Sequence, residues 1–400
     1  MENKAMTNHK EALELVQKLI SIKSPYFEED QIMEFVDNWF RNNGMNSRIH
    51  KYCEEKVTGF NGKNVVLELQ GNAPGPTICI NGHLDTVRLC SGWTVDPYAG
   101  HVEGDKVYGV GALDMKSGCA ATMLALKAFT ENHKDNFRGK IIATYVSAEE
   151  GPYGMGTNAL IEEGYLKDVD FSIVTEPSAG FVGNPFPTVC LGARGGYGLE
   201  IEFFGKSAHA ALPKSGKSAA LDAAKVVCEL ENVDYIMDEH LGTGAACVVA
   251  IESDGGACSV PDYAKVRLFW HIVVGENEET IVREIEKAIQ RANIQCDYRI
   301  NFREAPSEGS KGFMPYTVEE SNPYVRAFVD SVVNVCGEEP AIAYFQSIGD
   351  FNYLGTRLEA PVVLFGAEGE NFHSHNEYAT ISSIVKTAEV IYDFLTRQLV

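Results

Sequence analysis

The chain has 400 residues, of which 45% are hydrophobic and 22% are charged. This composition supports a large buried core and excludes a mainly disordered chain. Its 34 basic and 56 acidic residues give a formal net charge of −22, which argues against nucleic acid or an anionic membrane as the main partner, because both would be repelled. The length predicts roughly two or three domains of ordinary size.

The sequence also predicts the compartment. No run approaches the roughly 20 apolar residues that span a bilayer, and the first residues lead into a charged helical pattern without the apolar segment of a signal peptide. The ten cysteines are scattered and show no C-x-x-C spacing, which is not typical of a disulfide framework. We therefore expect a cytoplasmic protein without a membrane partner.

Helices and strands alternate over the first part of the chain. Apolar residues at helical spacing predict helices over 9–20, 32–40, 117–129 and, after an interruption, 322–335. Short apolar runs predict strands at 64–69, 77–80, 141–146, 171–174 and 362–365, with a Pro/Gly turn at 73–76. Strands that alternate with helices predict an α/β domain whose sheet is largely parallel at its centre.

The region 190–305 has a different pattern. Strands are predicted at 199–204, 246–251, 264–274 and 295–302, and helices at 218–230 and 280–292. The order β-α-β-β-α-β is typical of a ferredoxin-like two-layer sandwich. The predicted organisation is therefore a discontinuous α/β domain, 1–189 and 306–400, interrupted by an α+β domain over 190–305.

Histidines and carboxylates follow the ends of four predicted strands. They are His83 and Asp85 after 77–80, Glu149 and Glu150 after 141–146, Glu176 after 171–174, and His373 after 362–365. Open α/β sheets bind ligands outside the carboxyl ends of their strands. A fifth contributor, Asp114, precedes the next helix. Any one of these short motifs is more often structural, but their recurrence at four strand ends favours a shared site.

The residue types at this edge predict divalent metal chemistry. Two imidazoles and several carboxylates suit zinc or a similar ion and exceed what one four-coordinate ion needs. A carboxylate shared by two ions about 3.5–4 Å apart resolves the surplus, and such a pair can hold a hydroxide and polarise a carbonyl. In the doublet Glu149-Glu150 one carboxylate can face a metal and the other the water. In His83-x-Asp85 the carboxylate can fix the imidazole tautomer.

With these motifs the chain resembles the co-catalytic zinc hydrolases, the family of aminoacylase, acetylornithine deacetylase, succinyl-diaminopimelate desuccinylase and glutamate carboxypeptidase. The matching blocks span nearly the whole chain: GHLDTV (82–87), WTVDPY (93–98), YGVGALDMKSG (108–118), AEEG (148–151), EP (176–177) and GKSAHA (205–210). The resemblance implies a mostly parallel mixed-sheet catalytic domain of zinc-peptidase type. The inserted ferredoxin-like domain would be a lid that also forms the interface of a homodimer.

The resemblance also implies a metal-ligand set. One ion would be held by His83 and Glu176 and the other by Glu150 and His373, with Asp114 bridging both. His373 is preferred over His375 because the family's last histidine stands four positions before the glutamate that corresponds to Glu377.

Three further roles follow from the resemblance. Glu149 would be the general base, and Asp85 would support His83. His209 of the inserted domain would reach the active site of the partner subunit and stabilise the oxyanion.

The sequence departs from the family in the residues expected to contact substrate. Ser259 stands where the family's GGxxNxVP element commonly has asparagine, and His271 stands where an arginine often binds a substrate carboxylate. Arg194 either supplies that positive charge or is a surface charge near the hinge. We therefore take Arg194, His271 and Ser259 as candidate substrate-binding residues.

The predicted function is hydrolysis of an amide bond in a small peptide or N-acyl amino acid by a metal-bridging hydroxide, with a glutamate as general base. Two divalent ions are expected, zinc first, with cobalt or manganese as alternatives. The sequence leaves open peptidase or deacylase action. One competing hypothesis is a catalytically silent metal- or ligand-binding homologue, suggested by Ser259 and His271. Another is a structural interaction protein that binds no divalent ion.

Overall fold

The computed structural model of the protein describes residues 8–134, 136–256 and 258–400. The chain divides into two compact units, one taking the chain through Gly192 together with Thr317–Val400, and the other Ala193–Tyr316. The second unit begins near the predicted boundary at 190 but continues beyond 305. It does so because the backbone of Phe313 exchanges two hydrogen bonds with that of Gly196, at 2.7 and 2.9 Å.

The regular elements of the described ranges are as follows. The α-helices are α1 His9–Ser21, α2 Asp30–Asn42, α3 Ser117–His133, α4 Met155–Glu162, α5 Ser178–Val182, α6 Ala219–Glu229, α7 Glu278–Ala292, α8 Pro323–Cys336, α9 Phe351–Arg357 and α10 Ile381–Leu399. The strands are β1 Arg48–Glu54, β2 Phe60–Gln70, β3 Ala73–His83, β4 His101–Glu103, β5 Lys106–Tyr108, β6 Arg138–Val146, β7 Phe171–Val174, β8 Thr188–Ala193, β9 Gly195–Phe204, β10 Met237–Asp238, β11 Gly242–Thr243, β12 Ala245–Ser253, β13 Tyr263–Ile272, β14 Asp297–Phe302, β15 Tyr316–Thr317, β16 Ala341–Phe345, β17 Val362–Leu364, β18 Gly369–Glu370 and β19 Tyr378–Thr380. Among the helices described, none combines the length and the apolar character needed to cross a bilayer.

A nine-stranded sheet forms the base of the first unit. Its order is β1-β2-β6-β3-β7-β17-β8-β15, with β16 paired to β8. The neighbouring strands β6, β3, β7 and β17 are parallel, and Ile80 lies opposite Ala143 on one side and Ile173 on the other. β2 and β8 join this centre in the antiparallel sense. Because the central strands are buried on both faces, their sequences are nearly continuous apolar runs. The predicted mostly parallel mixed sheet is confirmed.

Helices α1, α3 and α10 pack together, and α3 and α10 also pack on β3. The apolar residues of α1 recur on one face and are buried, as its sequence predicts: Ala12, Leu15, Val16, Leu19 and Ile20. Truncating one of the leucines or Ile20 to alanine costs about 2–5 kcal/mol, as for other buried leucines and isoleucines. This layer holds the parallel strands, and therefore their carboxyl ends, in fixed positions.

The predicted turn at 73–76 is wrong. β3 already begins at Ala73, and its pairing with β6 is irregular between Ala73 and Thr77. Pro74 and Pro76 lack the N–H that a regular ladder needs, so the strand continues through them without regular pairing. The sequence reading also missed β1 and a small sheet of order β18-β19-β5-β4, whose strands have only two or three residues each.

The second unit is a four-stranded sheet of order β12-β13-β9-β14, antiparallel at each pairing. Helices α6 and α7 pack together, and their buried faces share one apolar cluster with the sheet. Val266, Leu268, Trp270 and Ile272 all lie on the buried face of β13, as their alternation predicts. The β-α-β-β-α-β order is observed, with the short hairpin β10–β11 as an addition.

Candidate active site

The predicted ligand-type residues of the first unit meet at one edge of the large sheet. His83 is the last residue of β3, Glu150 and Glu176 follow β6 and β7, and His373 stands farther along the segment after β17, beyond residues 369–370. These four strands are the adjacent parallel ones, so their carboxyl ends lie side by side. Ligand atoms of His83, Asp114 and Glu150 lie within 4.8 Å of one another.

His83 is buried and faces two carboxylates. Its Nε2 lies 3.1 Å from Asp114 Oδ1 and 3.5 Å from Glu176 Oε1. Burial alone would lower the pKa of His83, but the charge of Glu176 and hydrogen bonds to Asp114 and Glu176 raise it well above its usual range. A site that attracts positive charge so strongly suits a cation.

The support of His83 by Asp85 uses a different atom from the one predicted. The imidazole Nδ1 lies 3.0 Å from the backbone carbonyl of Asp85, whereas the nearer carboxylate oxygen is 3.7 Å away. A proton on Nδ1 satisfies this carbonyl, so Nε2 is the ring nitrogen that faces Asp114 and Glu176. The Asp85 carboxylate instead accepts the backbone N–H groups of Glu149 and Glu150, at 3.1 and 2.9 Å.

Asp114 lies between the two histidines. One carboxylate oxygen is 3.1 Å from His83 Nε2, and the other is 3.3 Å from His373 Nε2. Burial would raise the pKa of Asp114, but hydrogen bonds to His373 and His83 lower it below its ordinary value. This is the placement expected of a carboxylate that is shared between two cations.

Glu377 holds the segment that carries Asp114. Its buried carboxylate accepts the backbone N–H groups of Gly111 and Leu113, both at 2.8 Å, and of Asp114 at 2.9 Å. The segment Ala112–Lys116 lies directly before α3 and is an irregular turn, because Asp114 (φ −110°, ψ 96°) and Met115 (φ −131°, ψ 34°) depart from helical backbone angles. The Asp114 side chain is thus aimed by a turn that a second carboxylate clamps.

His373 approaches Asp114 from the loop after β18. Its Nε2 lies 2.9 Å from Glu150 Oε2, and hydrogen bonds to Asp114 and Glu150 raise the pKa of His373 to about 11. Its φ of 56° is in the left-handed region, which costs a non-glycine residue energy and is typical of functional loops. His375 is exposed and lies beside Gly92. Of the two histidines, it is His373 that joins the cluster.

Glu149 projects differently from Glu150. Its Oε1 accepts the backbone N–H of Asp350 at 2.9 Å. Withdrawal from water, followed by the negative charge of Asp350, raises the pKa of Glu149 well above its usual range. A carboxyl group that holds a proton readily is suited to general acid–base work.

The donor set fits divalent cations. The site brings two imidazoles together with three carboxylates, those of Asp114, Glu150 and Glu176. The carboxylates repel one another unless positive charge lies between them. Glu176 Oε2 is buried and has no hydrogen-bond partner in the described part of the protein. Nitrogen and oxygen donors of this kind bind zinc, cobalt or manganese.

The sequence reading missed Glu29 and Asp350. Glu29 is buried, and its carboxylate accepts the backbone N–H of Ala148 at 2.9 Å, next to the glutamate pair. Asp350 is also buried and accepts hydrogen bonds from Asn81 and Thr157, at 3.0 and 2.5 Å. Each stands at the start of a helix, where an acidic residue is expected for capping alone.

The remaining predicted residues lie in the second unit as two separate pairs. His209 is exposed and forms an isolated antiparallel bridge with Ser259. Arg194 precedes β9 and donates from Nε to the carbonyl of Leu241 at 2.9 Å. Burial and the charge of Arg194 lower the pKa of His271, so these two side chains lie within electrostatic reach of each other.

Comparisons with known proteins agree with this geometry. The model of "Peptidase family M20/M25/M40" matches residues 79–397. Succinyl-diaminopimelate desuccinylase of Sulfurovum sp. (strain NBC37-1) is 25% identical over 94% of this chain and 96% of its own length. The crystal structure of a tripeptidase from Staphylococcus aureus has a TM-score of 0.80 at 21% identity, covering 98% of this chain and 99% of that one. The YxeP protein of Bacillus subtilis, described as a dinuclear metal-binding peptidase of the M20 family, has a TM-score of 0.70 at 13% identity, covering 96% and 97%.

The family resemblance and the fold predicted from the sequence are confirmed by these matches. The desuccinylase and the peptidases named above act on amide bonds, which is the reaction class that the sequence predicted. Because the family model matches most of its length, the chain belongs to peptidase family M20/M25/M40 and is a metal-dependent hydrolase of amide bonds.

Proposed function

We propose that this hydrolase holds two divalent ions, one on His83 and Glu176 and one on Glu150 and His373, with Asp114 shared between them. The observation that carries the proposal is the position of Asp114, whose two carboxylate oxygens face two histidines 3.1 and 3.3 Å away. Two ions bound there supply Lewis acidity, polarising the substrate carbonyl and lowering the pKa of a water molecule.

Glu149 is the proposed general base. It takes a proton from the attacking water and later returns it to the nitrogen of the leaving amine. The hydrogen bond from the Asp350 backbone restrains the Glu149 carboxylate, and its raised pKa favours temporary storage of the proton. Asp85 contributes by fixing His83 through its carbonyl and the two glutamates through its carboxylate.

The second unit is the proposed source of substrate recognition. Arg194 and His271 lie within reach of each other, and together they suit a substrate carboxylate. The backbone pairing of Ser259 with His209 supports a role for Ser259 in positioning that loop. A free carboxylate is common to peptides and N-acyl amino acids, including the substrates that the names desuccinylase and tripeptidase indicate for the relatives.

We also propose that this unit, the inserted domain predicted at 190–305, is a lid and dimerisation domain whose His209 stabilises the oxyanion in the partner subunit. A mixing experiment tests this. Glu149→Gln and His209→Ala homodimers are each expected to be nearly inactive. Subunits exchanged between them should regain activity, because one site of each mixed dimer then has both Glu149 and His209. Absence of regain in verified mixed dimers would place His209 in its own subunit's site or outside the reaction.

Zinc is the proposed native metal and the cytosol the proposed location, where the ten cysteines, free thiols in the structure, would stay reduced. The decisive experiment is a substrate panel of dipeptides, tripeptides, N-succinyl and other N-acyl amino acids, assayed with zinc, cobalt or manganese. We expect turnover of one substrate class that chelators abolish and metal restores. No turnover with any metal, or turnover that chelators leave unchanged, would contradict the proposal.

A further inference from the structure

In the loop that carries Glu149 and Glu150, every backbone N–H from Ser147 to Glu150 donates a hydrogen bond to a side chain. The partners are side chains from three distant segments. Asn64 accepts from Ser147 at 3.1 Å, Glu29 accepts from Ala148 at 2.9 Å, and Asp85 accepts from Glu149 and Glu150 at 3.1 and 2.9 Å. Four consecutive amides held by side chains leave the loop little freedom to reorient.

Glu29 is the partner that the reaction described above does not account for. It stands directly before α2 but makes no capping hydrogen bond with its side chain. Its Oε1 accepts two backbone N–H groups instead, from Phe27 at 2.8 Å and from Ala148 at 2.9 Å. Only 3% of Glu29 is exposed to solvent.

Both amides that Glu29 holds belong to residues in the left-handed conformation. The φ angle is 73° at Phe27 and 54° at Ala148. A β-carbon disfavours this conformation, so such a residue persists only where its surroundings enforce it. The hydrogen bond from Ala148 to Glu29 fixes the Ser147–Ala148 peptide, and the hydrogen bond from Glu149 to Asp85 fixes the next one, so the orientation of Ala148 is set on both sides.

The arrangement is costly for stability. Burial and the negative charge of Asp85 raise the pKa of Glu29 to about 8, and placing a second acidic group beside a buried one is unfavourable. The gain from Glu29 therefore lies in the geometry that it imposes on the loop.

We propose that Glu29 is a positioning residue for the active site, which sets the direction of the Glu149 carboxylate by holding Ala148 in the left-handed conformation. The inference rests on the proposed function, because it takes Glu149 as the general base. The property of Glu29 that matters is the length of its side chain, which brings an oxygen to the N–H of Ala148, and not its charge.

Two variants of Glu29 separate the effect of side-chain length from the effect of charge. Glu29→Gln keeps a carbonyl oxygen at the same distance from the backbone, whereas Glu29→Asp keeps the acid but withdraws it by one methylene. We expect kcat of Glu29→Asp to fall roughly 100-fold, as for other small misplacements of a reacting group, with KM and the bound metal unchanged. Glu29→Gln should stay within about fivefold of the wild type. Glu28→Ala, an exposed neighbour, is the matched control and should behave as wild type.

Amide hydrogen exchange gives a readout that does not depend on activity. In the wild type the Ala148 amide should be protected as well as those of Glu149 and Glu150, and in Glu29→Asp its exchange should accelerate. The wild-type measurement remains decisive even if Glu29→Asp does not fold. Rapid exchange at Ala148 in the wild type would overturn the proposal, as would an active Glu29→Asp beside an inactive Glu29→Gln.

A parallel assay of Glu149→Gln separates a failure of the general-base assignment from a failure of the role of Glu29. Should Glu149→Gln keep full turnover, the assignment of the base fails, whatever Glu29 does. Should Glu149→Gln be inactive while Glu29→Asp retains wild-type kcat, the base stands and the role of Glu29 alone is refuted.

Discussion

The two units hold their functional residues in different ways. In the first, the loops around Asp114 are clamped by carboxylates from distant segments, Glu377 on one side and Asp85 on the other. In the second, His209 is exposed on a loop, and its pairing with Ser259 is a single backbone bridge. The geometry of the ligand-type residues is therefore fixed within the first unit, whereas the proposed substrate contacts of the second unit are less constrained. Substitutions should therefore affect chemistry in the first unit and substrate preference in the second.

The largest effect is expected at the proposed base. Glu149→Gln keeps the shape of the side chain but removes its basicity, so kcat should fall by roughly 10³-fold or more. Both metal ions should remain, because Glu149 is not a proposed ligand. Turnover measured alongside elemental analysis checks this, and near-normal turnover would remove Glu149 from its role.

The histidine pair near the C-terminus gives the next largest effect. His373→Ala should lose one of two bound ions, since His373 faces Glu150 and Asp114. His375→Ala is the matched control, because His375 is exposed two positions away, and it should keep both ions. Metal content after dialysis against a chelator is the measurement. The reverse pattern would assign the ligand to His375.

Weakening the hydrogen bonds from the Asp114 segment to Glu377 should have a smaller effect. Glu377→Gln presents an amide N–H to backbone N–H groups that need an acceptor, so the turn at 111–114 should loosen. Metal affinity is expected to fall about 10–100-fold, as when other outer hydrogen-bond partners of metal ligands are removed. Competition with a metal-binding dye measures this. Glu370→Gln, on an exposed position of β18, should leave the affinity unchanged.

In the second unit, substitutions are expected to change substrate preference. Arg194→Ala should raise KM about tenfold for a substrate with a free carboxylate, but little for the corresponding carboxamide. Arg283→Ala on the exposed face of α7 is the control. An equal change for both substrates would show that Arg194 supports the fold instead of binding the carboxylate.

The smallest effect concerns stability of the second unit and its pH dependence. Buried Asp222 accepts the N–H groups of Gln295 and Cys296, at 2.7 and 3.0 Å. Burial would raise the pKa of Asp222, but hydrogen bonds from Lys225 and these amides lower it. Its contribution is therefore present above the unfolded pKa of about 3.9 and is lost as the pH falls through the lower folded pKa.

We expect Asp222→Asn to reduce the free energy of unfolding by about 1–2 kcal/mol at pH 7, with a smaller difference as the pH falls below about 4. Urea unfolding of both proteins at several pH values measures this. Asp234→Asn, at an exposed position, should be neutral. A difference between wild type and Asp222→Asn that does not change with pH would contradict the assigned cause.

The sequence was sufficient for the features that local patterns encode. Apolar runs predict the parallel strands, and the position of His83, Glu150 and Glu176 relative to strand ends predicts their convergence, because parallel strands expose their carboxyl ends at one edge. The short strands β18 and β19 have no such pattern, since two or three residues are too few to show a period.

Glu29 and Asp350 were missed for a different reason. Both occupy the position before a helix, where local sequence predicts a cap, yet neither side chain caps its helix. Glu29 bonds Ala148, 119 positions away, and Asp350 bonds Asn81, 269 positions away. Such long-range hydrogen bonds depend on the assembled sheet and leave no trace in spacing or periodicity.

Anomalous diffraction from crystals loaded with zinc tests the central claim most directly. We expect two peaks about 3.5–4 Å apart, one beside His83 and Glu176 and one beside Glu150 and His373, with the Asp114 carboxylate between them. A single peak, or two peaks with Asp114 turned away from either one, would contradict the shared-aspartate site on which the proposed function depends.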